Sequence, residues 1–226
     1  MRKVPSATRW SSFTAASCWW PSSTAARRLE GSQAGRILFV GRFDRIKGAD
    51  TLLDAFVGVA GTRKSARLVF LGPDNGLILG ARKLDAPTYL EEFVPRSLHT
   101  RIEIHGVQPR RVVDAERPKA RVTVVASRYE TFSMTTAEAM AAGSPVVAPR
   151  TGGVTDLIEE GRNGLLFEPG DGADLARQVG RLLDDADLAA RLGDAARRDA
   201  IERFSEARVA GMTRALYAEL LEGRGR

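Results

Sequence analysis

Two short stretches of this 226-residue chain hold residues whose types and spacing suit phosphate and sugar chemistry. The first is Gly41-Arg42-Phe43-Asp44-Arg45-Ile46-Lys47-Gly48, in which two cations frame a turn between two glycines. Gly41 lets the backbone bend closely, the planar guanidinium of Arg42 can grip phosphate oxygens, and Lys47 adds a point charge. A helix expected from about Asp50 directs its positive N-terminal end at the same place, and the combination fits a diphosphate. Arginine and lysine at this spacing are common as plain loop cations. Here the pair sits at the carboxyl end of an expected first strand, where an α/β sheet places its ligands. The loop is neither G-x-G-x-x-G nor G-x-x-x-x-G-K-[ST], which counts against nicotinamide enzymes and P-loop ATPases.

The second stretch is Glu130-Thr131-Phe132-Ser133-Met134-Thr135-Thr136-Ala137-Glu138. Glu130 falls in a loop, and Glu138 in the first turns of a helix that Gly143 and Pro145 bring to a stop. An ionised carboxylate near a helix start can accept hydrogen bonds from both hydroxyls of a ribose, while the other can hold a sugar hydroxyl. The amides of Phe132, Ser133 and Met134 lie at that helix start, where N–H groups lacking helical partners can receive phosphate or sugar oxygens. Each carboxylate also has a plainer reading. Thr135-x-x-Glu138 is a capping-box pattern, and Glu130 can be a loop carboxylate that only faces solvent.

Such residues need a scaffold, and from Arg36 onward the chain alternates short β-branched apolar runs with amphipathic stretches. The runs Ile37–Val40, Leu68–Leu71, Ile102–His105, Val122–Ala126 and Pro145–Ala148 are apolar on both faces, as buried parallel strands are. Helices are expected over Thr51–Ala60, Tyr89–Leu98 and Thr135–Ala142. This order gives an α/β fold, a Rossmann-like doubly wound parallel sheet with its ligands in the loops after the strands. After about Asp171 the chain reads as helical to its end, with Leu175, Val179, Leu182 and Leu183 on one face and Val209, Met212, Leu216 and Leu220 on another.

Composition bounds the rest. A hydrophobic fraction of 43% and a charged fraction of 27% are those of a soluble globular protein. No apolar run approaches the roughly 18–20 residues that span a bilayer, so membrane contact is expected to be at most peripheral. Of the formal net charge of +6, most sits in residues 1–35, where Arg2, Lys3, Arg9, Arg27 and Arg28 face only Glu30. The remainder is nearly balanced, which argues against a nucleic-acid partner. Cys18 is the sole cysteine, so no intramolecular disulfide and no thiolate zinc site can form, and a reducing, cytoplasmic setting is expected. Residues 1–35 also hold Trp10, Trp19 and Trp20 and follow neither period, which reads as a disordered or spurious leader. An organellar transit peptide is the alternative for so Arg- and Ser-rich a segment. Residues 36–226 form the single expected domain.

In chain order, the Gly41–Gly48 loop, the Glu130–Glu138 pair, Ala137-Glu138-Ala139-Met140-Ala141-Ala142-Gly143-Ser144-Pro145-Val146-Val147 and Gly152-Gly153 form a joint pattern. Thr155-Asp156-Leu157-Ile158 and Asn163-Gly164-Leu165-Leu166-Phe167 extend it. Over roughly residues 36–221 the chain resembles the C-terminal, donor-binding domain of glycosyltransferase family 4. The resemblance implies one half of a GT-B fold and a retaining, metal-independent hexosyl transfer from a nucleotide-diphosphate sugar, with no further cofactor. It implies that Arg42 and Lys47 stabilise the leaving diphosphate, Glu130 contacts the donor sugar and Glu138 binds the ribose. Gly41 and the Phe132, Ser133 and Met134 amides would line the donor site, and Gly106 would border the base. The half of that fold that holds the acceptor is not matched, so a split enzyme with a separate acceptor-domain subunit and a non-catalytic nucleotide-sugar-binding module are the alternatives. An Asp-x-Asp metal motif would suggest a different transferase fold. The one present, Asp185-Ala186-Asp187, follows no strand and is read as a helix cap. His105 is read as a strand-end residue, and Pro118 falls where a helix leading into the next strand is expected.

Overall fold

The structure is a computed structural model that describes residues 31–223. Cys18 and the three tryptophans of the expected leader lie outside the described residues. In chain order the elements are β1 (Arg36–Val40), α1 (Ala49–Thr62), β2 (Arg67–Leu71), β3 (Leu77–Leu79), β4 (Arg82–Leu84), α2 (Ala86–Phe93) and α3 (Arg96–His99). They continue with β5 (Ile102–His105), α4 (Arg110–Glu116), β6 (Val122–Val124), α5 (Met134–Ala141), β7 (Val146–Pro149) and α6 (Val154–Leu157). The last are β8 (Leu165–Phe167), α7 (Gly172–Asp184), α8 (Ala186–Phe204) and α9 (Glu206–Gly223).

Six strands form one parallel sheet in the order β5-β2-β1-β6-β7-β8, and β3 and β4 form a separate antiparallel hairpin. The strands read as continuous apolar runs because both faces of the sheet are covered. Ile37, Phe39, Leu68, Phe70, Val122 and Val124 share one buried cluster with Leu52, Phe56 and Val59 of α1 and Leu175, Val179 and Leu182 of α7. The alternate residues Leu38, Val69 and Leu71 face the other way, toward Ala120 and Val113. On that second side Val146, Ala148 and Leu166 pack with Ala137 and Met140 of α5 and Ala196 and Ala200 of α8. Burying each large aliphatic or aromatic side chain stabilises the fold by roughly 1.5–3 kcal/mol relative to leaving it exposed.

Because the chain leaves β1 toward β2 and leaves β6 toward β7, the two adjacent central strands diverge to opposite sides of the sheet. Their carboxyl ends flank the crevice where an open α/β sheet admits a ligand. Phe39 stands opposite Val124 in this pair, so the loops beginning at Gly41 and after Val124 emerge side by side.

The doubly wound parallel sheet agrees with the sequence reading, and three details correct it. The stretch Tyr89–Leu98 is two helices, α2 and α3, because Pro95 stands between them. The strand expected over Val122–Ala126 pairs only to Val124, its last residues turning into the site loop. The hairpin and β8, each strand of three residues, were not expected. Pro118 lies in a 3-10 turn, Arg117–Lys119, that follows α4 and delivers the chain to β6. In the C-terminal helices Leu175, Val179 and Leu182 are buried, whereas Val209, Met212, Leu216 and Leu220 of α9 are exposed.

Candidate functional site

The loop from Gly41 to Gly48 is built around Asp44. Its Oδ1 accepts the Lys47 amide at 2.7 Å and its Oδ2 accepts Arg42 Nε at 2.6 Å. Phe43 points inward, fully buried, with its ring 5.8 Å from that of Phe70 and 6.0 Å from that of Tyr89. The residue that needs a glycine's freedom is Gly48, not Gly41. Its φ is 70°, and a Cβ there would lie 1.9 Å from the Ala126 carbonyl oxygen. Gly48 thus lets the start of α1 press against the end of β6.

Across the crevice, the loop after β6 turns Glu130 back toward that first loop. Lys47 Nζ donates to Glu130 Oε1 at 2.6 Å, and Ser127 Oγ donates to the same oxygen at 2.6 Å. The Lys47 side chain is 26% exposed and that of Glu130 11%. The loop is seated from below by Gly152 and Gly153. A Cβ on Gly152 would lie 1.9 Å from the Glu130 carbonyl oxygen, one on Gly153 would lie 2.1 Å from that of Thr131, and the Gly153 amide donates to Glu130 at 3.1 Å. The glycine pair in the sequence pattern is therefore the cradle of the carboxylate loop.

Helix α5 begins at Met134 with Ser133 as its N-cap. Ser133 Oγ accepts the Thr136 amide at 3.4 Å and lies 2.8 Å from Thr136 Oγ1. Ser133 has φ 68°, and among the described residues no other non-glycine residue has a positive φ. A left-handed serine stores local strain, which in folded proteins concentrates where a loop must present its backbone in one arrangement. The amides of Met134 and Thr135 fall in the first helical turn, where no carbonyl four residues back is available. Phe132 and Met134 are exposed, Phe132 meeting Phe204 edge-on at 6.4 Å.

The capping-box reading of Glu138 is not what the structure forms, since the cap is Ser133. Glu138 Oε2 instead accepts Arg117 Nη2 at 2.5 Å, and Oε1 lies 3.5 Å from Arg110 Nη1. The Arg117 side chain is only 1% exposed, and burial pulls its guanidinium below the ordinary arginine value while the Glu138 charge opposes this. The two glutamates therefore have separate cation partners. Arg42, 44% exposed, has its hydrogen bond within its own loop. Gly106 directly follows β5, two strands from β1 at the same edge, about 10 Å away on ordinary strand spacing. His105, at the end of the same strand, is exposed with Nε2 3.3 Å from Glu103.

Sequence reasoning missed Arg128, Ser127 and Arg117. Arg128 makes a bidentate pair with Asp50, 2.8 Å on each arm, and also donates to the Arg45 carbonyl at 2.6 Å. Its backbone amide donates to the Ile46 carbonyl at 2.9 Å. The hydrogen bond to Asp50 raises the Arg128 pKa above its ordinary value against the opposing effect of burial. Nearby, burial and the Asp54 and Asp50 charges push the Tyr89 hydroxyl up to about 12. A basic residue two positions before Glu130 was the available signal, but its partners lie 78 and 83 residues away in sequence.

Asp185 caps α8, accepting the Leu188 amide at 2.8 Å, as expected for the Asp185-Ala186-Asp187 sequence. Among the described residues no group of three or more His, Cys, Asp or Glu is placed to hold a metal ion. Among them, too, no helix is long and apolar enough to cross a membrane.

Residues 34–185 match the family model described as glycosyl transferases group 1. A D-inositol 3-phosphate glycosyltransferase from Xylanimonas cellulosilytica is 34% identical over 211 residues, covering 90% of this chain and 48% of the relative. The chain thus spans about half the length of the first curated relatives it matches. Among solved structures, sucrose-phosphate synthase from Thermosynechococcus elongatus superposes with a TM-score of 0.70 at 28% identity, covering 86% of this chain and 47% of that one. The C-terminal domain of a group 1 family glycosyl transferase from Francisella tularensis shares the fold, with a TM-score of 0.68 at 21% identity, over 80% of this chain and 96% of that domain.

Proposed function

The chain belongs to the family of group 1 glycosyl transferases, and from that premise we propose that residues 36–223 bind the nucleotide-diphosphate sugar donor of a retaining, metal-independent hexosyl transfer. The observation that carries this reading is the Lys47–Glu130 contact across the central crevice, 2.6 Å long and fed from two different loops. An ammonium has three donors, so Lys47 can hold Glu130 with one and meet a diphosphate with the others. Arg42, on the same loop, brings a planar fork to the same edge of the sheet. As the glycosidic bond to the diphosphate breaks, negative charge grows on the departing oxygens and the sugar becomes oxocarbenium-like. Cations already fixed in place stabilise that charge without reorganising, which is work a metal ion would otherwise do. Glu130, held by Ser127 and Lys47, then presents its remaining lone pairs to a sugar hydroxyl. Glu138, fixed by Arg117, offers acceptors to the ribose, and the α5 start receives phosphate or sugar oxygens at the amides of Phe132, Ser133 and Met134. The donor is the substrate, and no further cofactor is needed for this chemistry.

A separate acceptor-domain subunit is favoured by one observation, the exposed apolar residues Val209, Met212, Leu216 and Leu220 along α9. A non-catalytic nucleotide-sugar-binding module would use the same donor residues without transfer.

Calorimetric titration of UDP, GDP and ADP in chelator-treated buffer tests the donor site. Saturable binding of one of them, much weakened by Arg42→Ala and by Glu138→Ala, is expected. A folded sample that binds none of the three, or that binds only when a divalent cation is added, refutes the metal-independent donor site.

A further inference from the structure

We propose that Arg128 is a positioning residue that sets the spacing between Lys47 and Glu130, and through it the affinity for the terminal phosphate of a nucleoside diphosphate. The inference rests on the donor-site reading above and goes beyond it, because the Arg128 side chain bonds Asp50 and the Arg45 carbonyl rather than Lys47 or Glu130 themselves. Its guanidinium holds both oxygens of Asp50, in the first turn of α1, and the Arg45 carbonyl in the middle of the first loop. Its amide holds the Ile46 carbonyl, the residue before Lys47. Glu130 follows two residues later. One residue of the carboxylate loop is thus bonded to three points on either side of Lys47: the two carbonyls before it and Asp50 of the helix after it.

A bidentate guanidinium–carboxylate pair fixes orientation as well as distance, and here it is partly screened from water, with Asp50 Oδ atoms facing Arg128 on both arms. The groups around it are Asp50, Asp54 and Tyr89, and burial together with the Asp50 charge raises the Asp54 pKa. Removing Arg128 would leave these carboxylates without their cation and free the two loops to separate. Lys47 then no longer stands at a set height above Glu130, and the part of the ligand it meets, the outer phosphate, loses most.

The test is calorimetric affinity of the full chain for UDP, GDP and ADP and for the matching monophosphates, with Arg128→Leu, Arg128→Lys and Asp50→Asn. The expected result is that the preference for diphosphate over monophosphate falls about tenfold in Arg128→Leu and in Asp50→Asn, with partial recovery in Arg128→Lys. Should Arg128→Leu not fold, Asp50→Asn carries the same expectation and Arg128→Lys a smaller fall in the same direction. A role confined to stability would lower the melting temperature and leave the preference of the folded protein unchanged, which overturns the inference alone. Failure of the wild-type chain to bind any diphosphate overturns the donor-site reading and this inference with it.

Discussion

The two ends of the central sheet use the same kind of residue for different purposes. At the amino ends of the strands, cations are tied to fixed partners. Arg101 donates to the carbonyls of Ala60, Ala66 and Arg63 at 3.1, 2.9 and 2.6 Å, closing the end of α1. Arg121 donates to the Leu182 carbonyl at 2.9 Å at the end of α7, and Arg36 pairs with Glu116 at 2.6 Å. At the carboxyl ends, among the described residues, the Arg42 side chain has a single hydrogen bond, within its own loop, and the Lys47 side chain a single one across the crevice. Large apolar side chains, Ile46, Val107, Tyr129, Phe132 and Met134, stand exposed around them. At one end Arg36, Arg101 and Arg121 are bonded within the fold, although Arg36 Nε is buried without a partner among the described residues, and at the other Arg42 and Lys47 keep donors in reserve. The proposed donor edge differs from the other in that reserve, not in the number of its basic residues.

The contrast can be broken at either end. Arg101→Ala removes three charge-assisted bonds, to the carbonyls of Ala60, Arg63 and Ala66, and urea denaturation should show a loss of about 3 kcal/mol with nucleotide affinity in the folded protein unchanged. Lys47→Ala should do the reverse. Diphosphate binding should weaken roughly 30-fold, equivalent to about 2 kcal/mol, with little change in the melting temperature. Asp199 sharpens the comparison through pH. Burial disfavours its charge, but bonds from Arg162 and Asn163 prevail and hold its carboxyl below the usual aspartate range. The unfolded chain therefore takes up this proton first. The stabilisation from Asp199 is fully present above its unfolded value, roughly pH 4, and is lost as pH falls through the lower folded value. Asp199→Asn should cost about 1.5 kcal/mol near neutrality, and the gap to wild type should close on acidification in denaturation curves taken across that range. Asp185→Ala should cost about 1 kcal/mol through loss of the α8 cap, and chelator should change nothing in either protein.

The fold was largely legible because buried parallel strands have to be apolar on both faces, so Ile37–Val40 and Leu68–Leu71 announced themselves. Leu165–Phe167 was too short to stand out from loop sequence, and Pro95 divided a stretch whose periodicity looked continuous. In the candidate site, the Gly41–Gly48 loop and Glu130 were singled out because they follow strand ends, and the structure brings Lys47 and Glu130 together. Long-range pairing could not. Nothing local marks Arg117 as the partner of Glu138, or Arg128 as the partner of Asp50, and the Thr135–Glu138 spacing pointed to a cap that Ser133 makes instead. Ser133 itself was named for its amide, but its left-handed backbone is imposed by the loop and leaves no trace in residue type.

The central claim is that a nucleoside diphosphate binds at the carboxyl edge of the sheet between β1 and β6. Amide chemical-shift mapping during titration with UDP, GDP and ADP tests it most directly. The account expects saturable shifts of one ligand concentrated in Gly41–Gly48 and Ser127–Thr136, with Arg36, Arg67, Arg101 and Arg121 unmoved. Shifts concentrated at those four arginines, or none anywhere in a well-folded sample, would contradict it.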